Sequence, residues 1–392
     1  MLGMSACRDD DPDPMGDRLQ LSISSPSILE GDNGTNNLIF EITLSGPNPS
    51  QTPITVAYRT LDGSAIGGLD FDGTNGTVTF SDSQTQKNIS INIITDVLKE
   101  SDESFFVQLF DASENTLITN MIGEGKIRND DTDIEFAADG YLTPDQYPGF
   151  DLTWSDEFDS STIATDNWAF EIGDGCPDLC GWGNNELEFY TDRPENLELA
   201  NGLLKIRAAN DNWQNHPYTS ARITSKDKQA FQFGRIDIRA KLPTGKGLWP
   251  CFWMLGENID EVSWPACGEI DLMELSGHQP FAVHGTAHFG DPFPNNRFIG
   301  TSYSLENDEA FAEKFHVFTI MWVADAIYWY VDDQLFHEIH PADLEEAAYP
   351  FNQAFFFTIN LAIGGNWPGD PDASTVFPQE MQIDYIRVFQ RS

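Results

Sequence analysis

Three carboxylates, Glu269, Asp271 and Glu274, fall within the run Gly268-Glu269-Ile270-Asp271-Leu272-Met273-Glu274. Side chains alternate faces along an extended strand, so Glu269 and Asp271 share one face. Glu274 would point to the other face in a regular strand, and one extra residue, a β-bulge near Leu272-Met273, returns it. Three acids on one sheet face repel one another when ionised, so the arrangement needs a use. Hydrolysis of a glycosidic bond is one. A carboxylate attacks the anomeric carbon while a protonated carboxyl gives its proton to the leaving oxygen, and a pair about 5–5.5 Å apart yields retention of configuration. The middle acid can hydrogen-bond to its neighbours and set their proton affinities. A calcium site or a charged edge strand would use the same residue types.

The flanking residues favour sugar chemistry. Upstream lie Gly247-Leu248-Trp249-Pro250-Cys251-Phe252-Trp253-Met254 and Ser263-Trp264-Pro265. An indole face suits the apolar C–H face of a pyranose, and three indoles so close to the acids are more than a core requires. Downstream, His284-Gly285-Thr286-Ala287-His288 places His288 on a neighbouring strand, within reach of an acid or the leaving group.

The elements that must carry these residues are strands. Phe233–Leu242, Phe315–Trp322 and Ala326–Val331 alternate apolar and polar residues, and a helix is expected only near Asp343–Ala348. All ten Trp lie between Trp154 and Trp367, which marks a compositional boundary. Residues 149–392 therefore form one all-β module of two large packed sheets. Residues 19–132 form another, with short alternating runs at Leu38–Leu44, Ile54–Tyr58, Gly76–Phe80 and Ile89–Ile93, separated by Gly, Asn, Asp and Pro. The Asp-, Pro- and Gly-rich stretch 133–148 reads as a linker, and 1–18 as a signal remnant or acidic tether.

The net charge of −42, from 63 acidic and 21 basic residues, is spread over both modules and excludes nucleic acid as a natural partner. No run of 18 apolar residues is present. Met4-Ser5-Ala6-Cys7 before an Asp-rich stretch resembles the end of a bacterial lipoprotein signal, with Cys7 as lipid anchor. Pairing of Cys176 with Cys180, or of Cys251 with Cys267, would suit an extracellular or outer-membrane-surface protein, and spacing does not choose between them.

Two resemblances follow from longer motifs. Leu29-Glu30-Gly31-Asp32, Thr60–Ala65, Leu69-Asp70-Phe71, Asp102-Glu103-Ser104-Phe105 and Asn129-Asp130-Asp131 together resemble the Calx-β domain, an immunoglobulin-like β-sandwich. Its strand-end acids, here Glu30, Asp62, Asp70, Asp72, Asp96, Glu100, Asp102, Glu103, Asp130 and Asp131, can bind calcium in that family. The run Gly247–Gly277 resembles the active-site strand of glycoside hydrolase family 16, and of its laminarinase branch through the bulged E-x-D-x-x-E pattern. Trp154–Phe158, Trp182–Thr191, Ala221–Lys226, Asn360–Trp367 and Asp384–Val388 extend the match through the module. The resemblance implies a β-jelly-roll sandwich with an open cleft and an endo-1,3-β-glucanase, with mixed-linkage β-glucan the alternative polymer and a non-catalytic carbohydrate-binding or adhesion protein the alternative of another class, which the presence of both Glu269 and Glu274 disfavours. It assigns Glu269 as nucleophile, Glu274 as acid/base and Asp271 as their assistant. It places Asn185, Arg222, Trp249, Trp253, Trp264 and Trp367 along the sugar subsites. No catalytic cofactor is implied. A structural calcium is, at Glu157, Gly202 and Asp384, and the protein is expected to act as a monomer on β-glucan. Cys251 and Phe189 depart from the family pattern, where a small residue and an aromatic hydroxyl are usual.

Overall fold

The computed structural model describes residues 18–391 apart from 33, 35, 49–51, 82, 96–101, 115, 131–135, 138 and 148. Cys7, the acidic leader and the loop acids Asp96, Glu100 and Asp131 lie outside the described residues. The chain divides into two compact units between Asp133 and Ile134.

The first unit is a sandwich of a four-stranded and a five-stranded sheet. Strand Asn36–Leu44 alternates buried and exposed residues along its length, as its sequence period requires. Its inward side chains, Leu38, Phe40 and Ile42, meet Phe105 and Val107 from strand Glu103–Phe110 of the other sheet. Phe71 stacks on Phe105 at 4.1 Å. Several loop acids staple their own loops. Asp62 accepts from the Gly67 amide at 2.9 Å, Asp70 from Ile66 at 2.5 Å, Asp102 from Asn129 at 3.1 Å and Asp130 from Gly31 at 2.8 Å.

In the second unit a seven-stranded antiparallel sheet faces an eight-stranded one. The seven strands run in the order Ala169–Phe170, Arg222–Thr224, Phe355–Ile363, Leu248–Gly256, Glu269–Leu275, Ala282–Gly290, Asn296–Ser304. Every residue of Phe355–Ile363 is buried, which explains its unbroken apolar character, FFFTINLAI. The core between the sheets is built from Phe252, Met254, Ile270, Leu272 and Ile359 on one side and Ile236, Phe318, Trp322 and Trp329 on the other.

Two expectations need correction. The helix expected near Asp343–Ala348 is a single 3-10 turn, Pro341–Leu344, started by a proline in its first turn and ended at Glu345, whose φ is +56°. The segment expected as a linker is in part folded onto the second unit. Tyr141 is buried and donates from its hydroxyl to Asp333 at 2.6 Å. Arg239 donates to the Tyr141 carbonyl and to Asp139. Thr143 is bonded to the Tyr385 hydroxyl, and Tyr147 donates to Asp237 at 2.9 Å. Gly140 lies so close to Phe315 that a Cβ there would come within 2.0 Å of its carbonyl oxygen. Asp, Pro and Gly in this stretch serve a tightly docked strap rather than a free chain.

Candidate active site

The acid strand Glu269–Leu275 pairs with Leu248–Gly256 on one side and Ala282–Gly290 on the other. Asp271 faces Thr286 and Glu274 faces His284, three steps on one strand against two on its partner. The bulge therefore lies between Asp271 and Glu274, as the spacing requires, and Glu269, Asp271 and Glu274 share the cleft face. A second contact explains why it holds. The Trp329 indole, reaching from the opposite sheet, donates to the Asp271 carbonyl at the edge of the bulge at 2.9 Å in a buried setting. Gly285 makes room for that ring, since a Cβ there would lie 2.6 Å from it.

Each carboxylate has its own partners. Trp264 Nε1 donates to Glu269 Oε2 at 2.8 Å, and Trp249 Nε1 to Glu274 Oε1 at 3.0 Å. The Cys251 thiol sits 3.9 Å from Glu274 Oε1. His288 Nε2 lies 3.1 Å from Asp271 Oδ2 and 3.8 Å from Glu269 Oε1. Burial, then the charge of Asp271, pushes the Glu274 carboxyl up to about 8. Burial also raises Asp271, with Glu269 adding to the rise, and raises Glu269, with Glu274 adding to it; His288 opposes both. His288 is pulled down by burial, but the surrounding carboxylates, Asp271 first, outweigh this and raise it to about 9. The cluster thus keeps one imidazolium and at least one protonated carboxyl near neutrality. Glu269, Asp271 and His288 are also close enough to share a metal ion. The anchoring of Glu269 by an indole N–H and the lone imidazolium among the acids fit proton chemistry.

The remaining expected residues line the same face. Arg222 is buried between the rings of Trp182, at 4.2 Å, and Trp253, at 4.9 Å, and its guanidinium also pairs with Glu171. Trp253 donates to Asn360 at 2.8 Å, Asn360 to the Tyr190 hydroxyl at 3.0 Å, and Tyr190 to Glu186 at 3.1 Å. This relay fixes the Trp253 plane from below. Burial beside Glu186 pushes the Glu188 carboxyl well up, while its Oε2 accepts the Ile363 amide at 2.6 Å. Trp367, half-exposed, meets Trp249 edge-on at 5.5 Å, and Asn185 donates to Asn366 at 2.8 Å on the same rim. Sequence reasoning missed Trp182, Asn360, Tyr190 and His284. The last lies opposite Glu274 in register and meets Trp367 edge-on at 5.0 Å. Its cross-strand position was the signal that could have found it.

On the other sheet, Glu157, Gly202 and Asp384 stand beside the junction at which strands Phe150–Asp156 and Leu203–Ala208 both pair with Gln379–Arg391. Asp156 faces Ile386 and Leu204 faces Ile383. Asp384 is the extra residue of a bulge against Gly234–Lys241. The carboxylates expected to hold calcium already face cations: Glu157 is gripped by Arg387 at 2.9 and 2.8 Å, and Asp384 by Arg239 at 2.6 Å. Of the two cysteine couples, Cys176–Cys180 is disulfide-bonded, and Cys251 and Cys267 are buried thiols.

An antiparallel sheet with two glutamates returned to one face by a bulge, rimmed by indoles, defines a jelly-roll glycoside hydrolase. The chain belongs to Glycosyl hydrolases family 16, whose profile matches residues 180–387. The Calx-beta domain profile matches residues 17–131. The second unit is similar to the laminarinase catalytic domain from Thermotoga maritima MSB8, at 47% identity and a TM-score of 0.59, covering 62% of this chain and 99% of that one. Among curated relatives, the Beta-glucanase of Rhodothermus marinus is 38% identical over 261 residues, 63% of this chain and 87% of its own. Glucan endo-1,3-beta-glucosidase A1 of Niallia circulans is 39% identical over 281 residues. The match spans 67% of this chain but only 41% of that relative's length.

Proposed function

We propose that the chain is a retaining endo-hydrolase of 1,3-β-glucan. The observation that carries this reading is the bulged acid strand, which sets Glu269 and Glu274 on one face in unlike environments. Glu269, oriented by Trp264 and close to His288, acts as the nucleophile. Its carboxylate oxygen bonds to the anomeric carbon as the bond to the leaving oxygen breaks. Glu274, whose carboxyl stays protonated up to about pH 8, gives that oxygen its proton. Glu274 then takes a proton from water, which attacks the anomeric carbon and releases Glu269. Asp271 and His288 hold charge and proton beside both. No catalytic cofactor is needed.

The same reading takes Asn185, Arg222, Trp249, Trp253, Trp264 and Trp367 as sugar contacts. It places the protein outside the cytoplasm as a monomer, anchored through Cys7 in an outer membrane, and the Cys176–Cys180 disulfide supports an oxidising compartment. A structural calcium would be held at Glu157, Gly202 and Asp384. Supporting it are the bulge at Asp384 and the meeting of two strands there. Initial rates and early products on laminarin, mixed-linkage glucan and agarose test the central reading. Mid-length oligosaccharides released first from laminarin are expected. A clearly higher efficiency on mixed-linkage glucan, or glucose as the sole early product, would overturn the assignment of linkage or of internal cutting.

A further inference from the structure

The cleft face continues past the acids onto the last two strands of the sheet, in rows fixed by register. Glu269 is opposite His288, which is opposite Phe298; Asp271 is opposite Thr286, opposite Gly300; Glu274 is opposite His284, opposite Ser302. Residues directly opposite across a sheet share a face, so Phe298, Gly300 and Ser302 look onto the same cleft as the acids, about 10 Å away by two strand spacings. Gly300 keeps the middle row low, because a Cβ there would lie 2.7 Å from Thr286 Oγ1. The result is a trough with a floor of Thr286 and Gly300, an apolar wall at Phe298 and a polar wall at His284 and Ser302.

Phe298 is 66% exposed on the edge strand Asn296–Ser304. Edge strands usually present charge or proline, since an apolar edge invites association. One exposed aromatic is ordinary by itself. This one is continuous with the site. Its ring lies 5.7 Å from His288, tilted by 38°, and His288 lies 6.1 Å from Trp264, whose indole anchors Glu269. The neighbouring Ile299 packs inward on the core, so the strand is held with Phe298 outward. A polysaccharide crossing the acid strand toward this edge would lay a pyranose face on that ring and its hydroxyls toward His284 and Ser302.

We infer that Phe298 is an outer sugar-stacking platform, a subsite that binds a glucose unit of the chain remote from the scissile bond and sets the length of substrate the enzyme prefers. This rests on the β-glucan reading above. The test compares the full-length wild type with Phe298→Ala and Phe298→Trp on a series of 1,3-β-gluco-oligosaccharides of increasing length. Phe298→Ala should lower kcat/KM about two- to tenfold on the longest substrates, mainly through KM, and leave the shortest cleavable one unchanged. Phe298→Trp should restore the length dependence, and both variants should melt with the wild type. A loss equal at every length, or none at any length, overturns the inference. If the wild type prefers another β-glucan, the linkage reading fails, and the same two outcomes on that polymer's oligosaccharides decide Phe298.

Discussion

The catalytic unit holds two dense groups of acids, one on each sheet, and they are neutralised differently. On the eight-stranded sheet, Asp237 and Asp333 share Arg235, Asp384 and Asp139 share Arg239, Glu157 is held by Arg387, and Asp332 pairs with His316 at 2.6 Å. On the seven-stranded sheet, Glu269, Asp271 and Glu274 have His288 and no guanidinium among their described partners. The first group spends its charge on holding strands and the 139–147 strap together. The second is left short of cations, so its protons stay on to higher pH. An acid cluster poised for proton transfer is recognised by what is withheld from it, not by how many acids it contains.

The largest effect that would test this contrast is at Glu274. Glu274→Ala should lower kcat about 10²–10⁴-fold on substrates with sugar leaving groups and far less on activated aryl leaving groups. In the wild type, kcat/KM should fall on the alkaline side as pH passes about 8, because the raised Glu274 carboxyl then loses the proton it must donate. This limb should vanish in the variant on aryl substrates. Equal damage across leaving groups would place the proton transfer elsewhere.

Arg235→Met should act in the opposite sense. It strands Asp237 and Asp333 in the interior, at about 3–5 kcal/mol of stability, with kcat per folded molecule preserved. A drop in kcat without loss of stability, read by denaturant melts beside assays, would erase the distinction between the two groups. A smaller effect concerns the strap. A chain beginning at Ile134 should melt as the whole catalytic unit does, whereas one beginning at Tyr147 should lose about 2–4 kcal/mol with Tyr141 and Thr143. Equal melting of the two would show that the strap is passive. The smallest change is Trp329→Phe, which removes one N–H from the bulge. About 1–3 kcal/mol of stability and roughly tenfold in kcat should go together, with KM little changed, because Glu274 loses its register. Unchanged kcat would mean that the bulge holds without that indole.

What the sequence revealed and what it hid follow one physical division. The bulge was legible because a five-residue separation between Glu269 and Glu274 conflicts with a period of two, and only one inserted residue resolves the conflict. Trp249, Trp253 and Trp264 were legible because they sit near the acids in sequence. Trp329 was not: it touches Asp271 from a strand 58 residues away, and nothing in Ala326–Val331 distinguishes it from core. Phe298 and His284 needed the register of three strands, which periodicity does not supply. The strap looked like a linker because Asp139, Gly140 and Pro144 are the residues of both free chain and tight docking. The calcium set was matched by position alone, and the pairing of Asp384 with Arg239 and of Glu157 with Arg387 comes from segments far apart in sequence.

The central claim, that Glu269 is the nucleophile and Glu274 the proton donor on one bulged strand, is tested most directly by azide rescue of Glu269→Gly on an activated β-glucoside oligomer. The anion should fill the space left by the carboxylate, restore turnover and give a glycosyl azide of inverted configuration, identified by NMR. A retained azide from Glu269→Gly, with the inverted azide formed by Glu274→Gly instead, would contradict the account by exchanging the roles of the two glutamates.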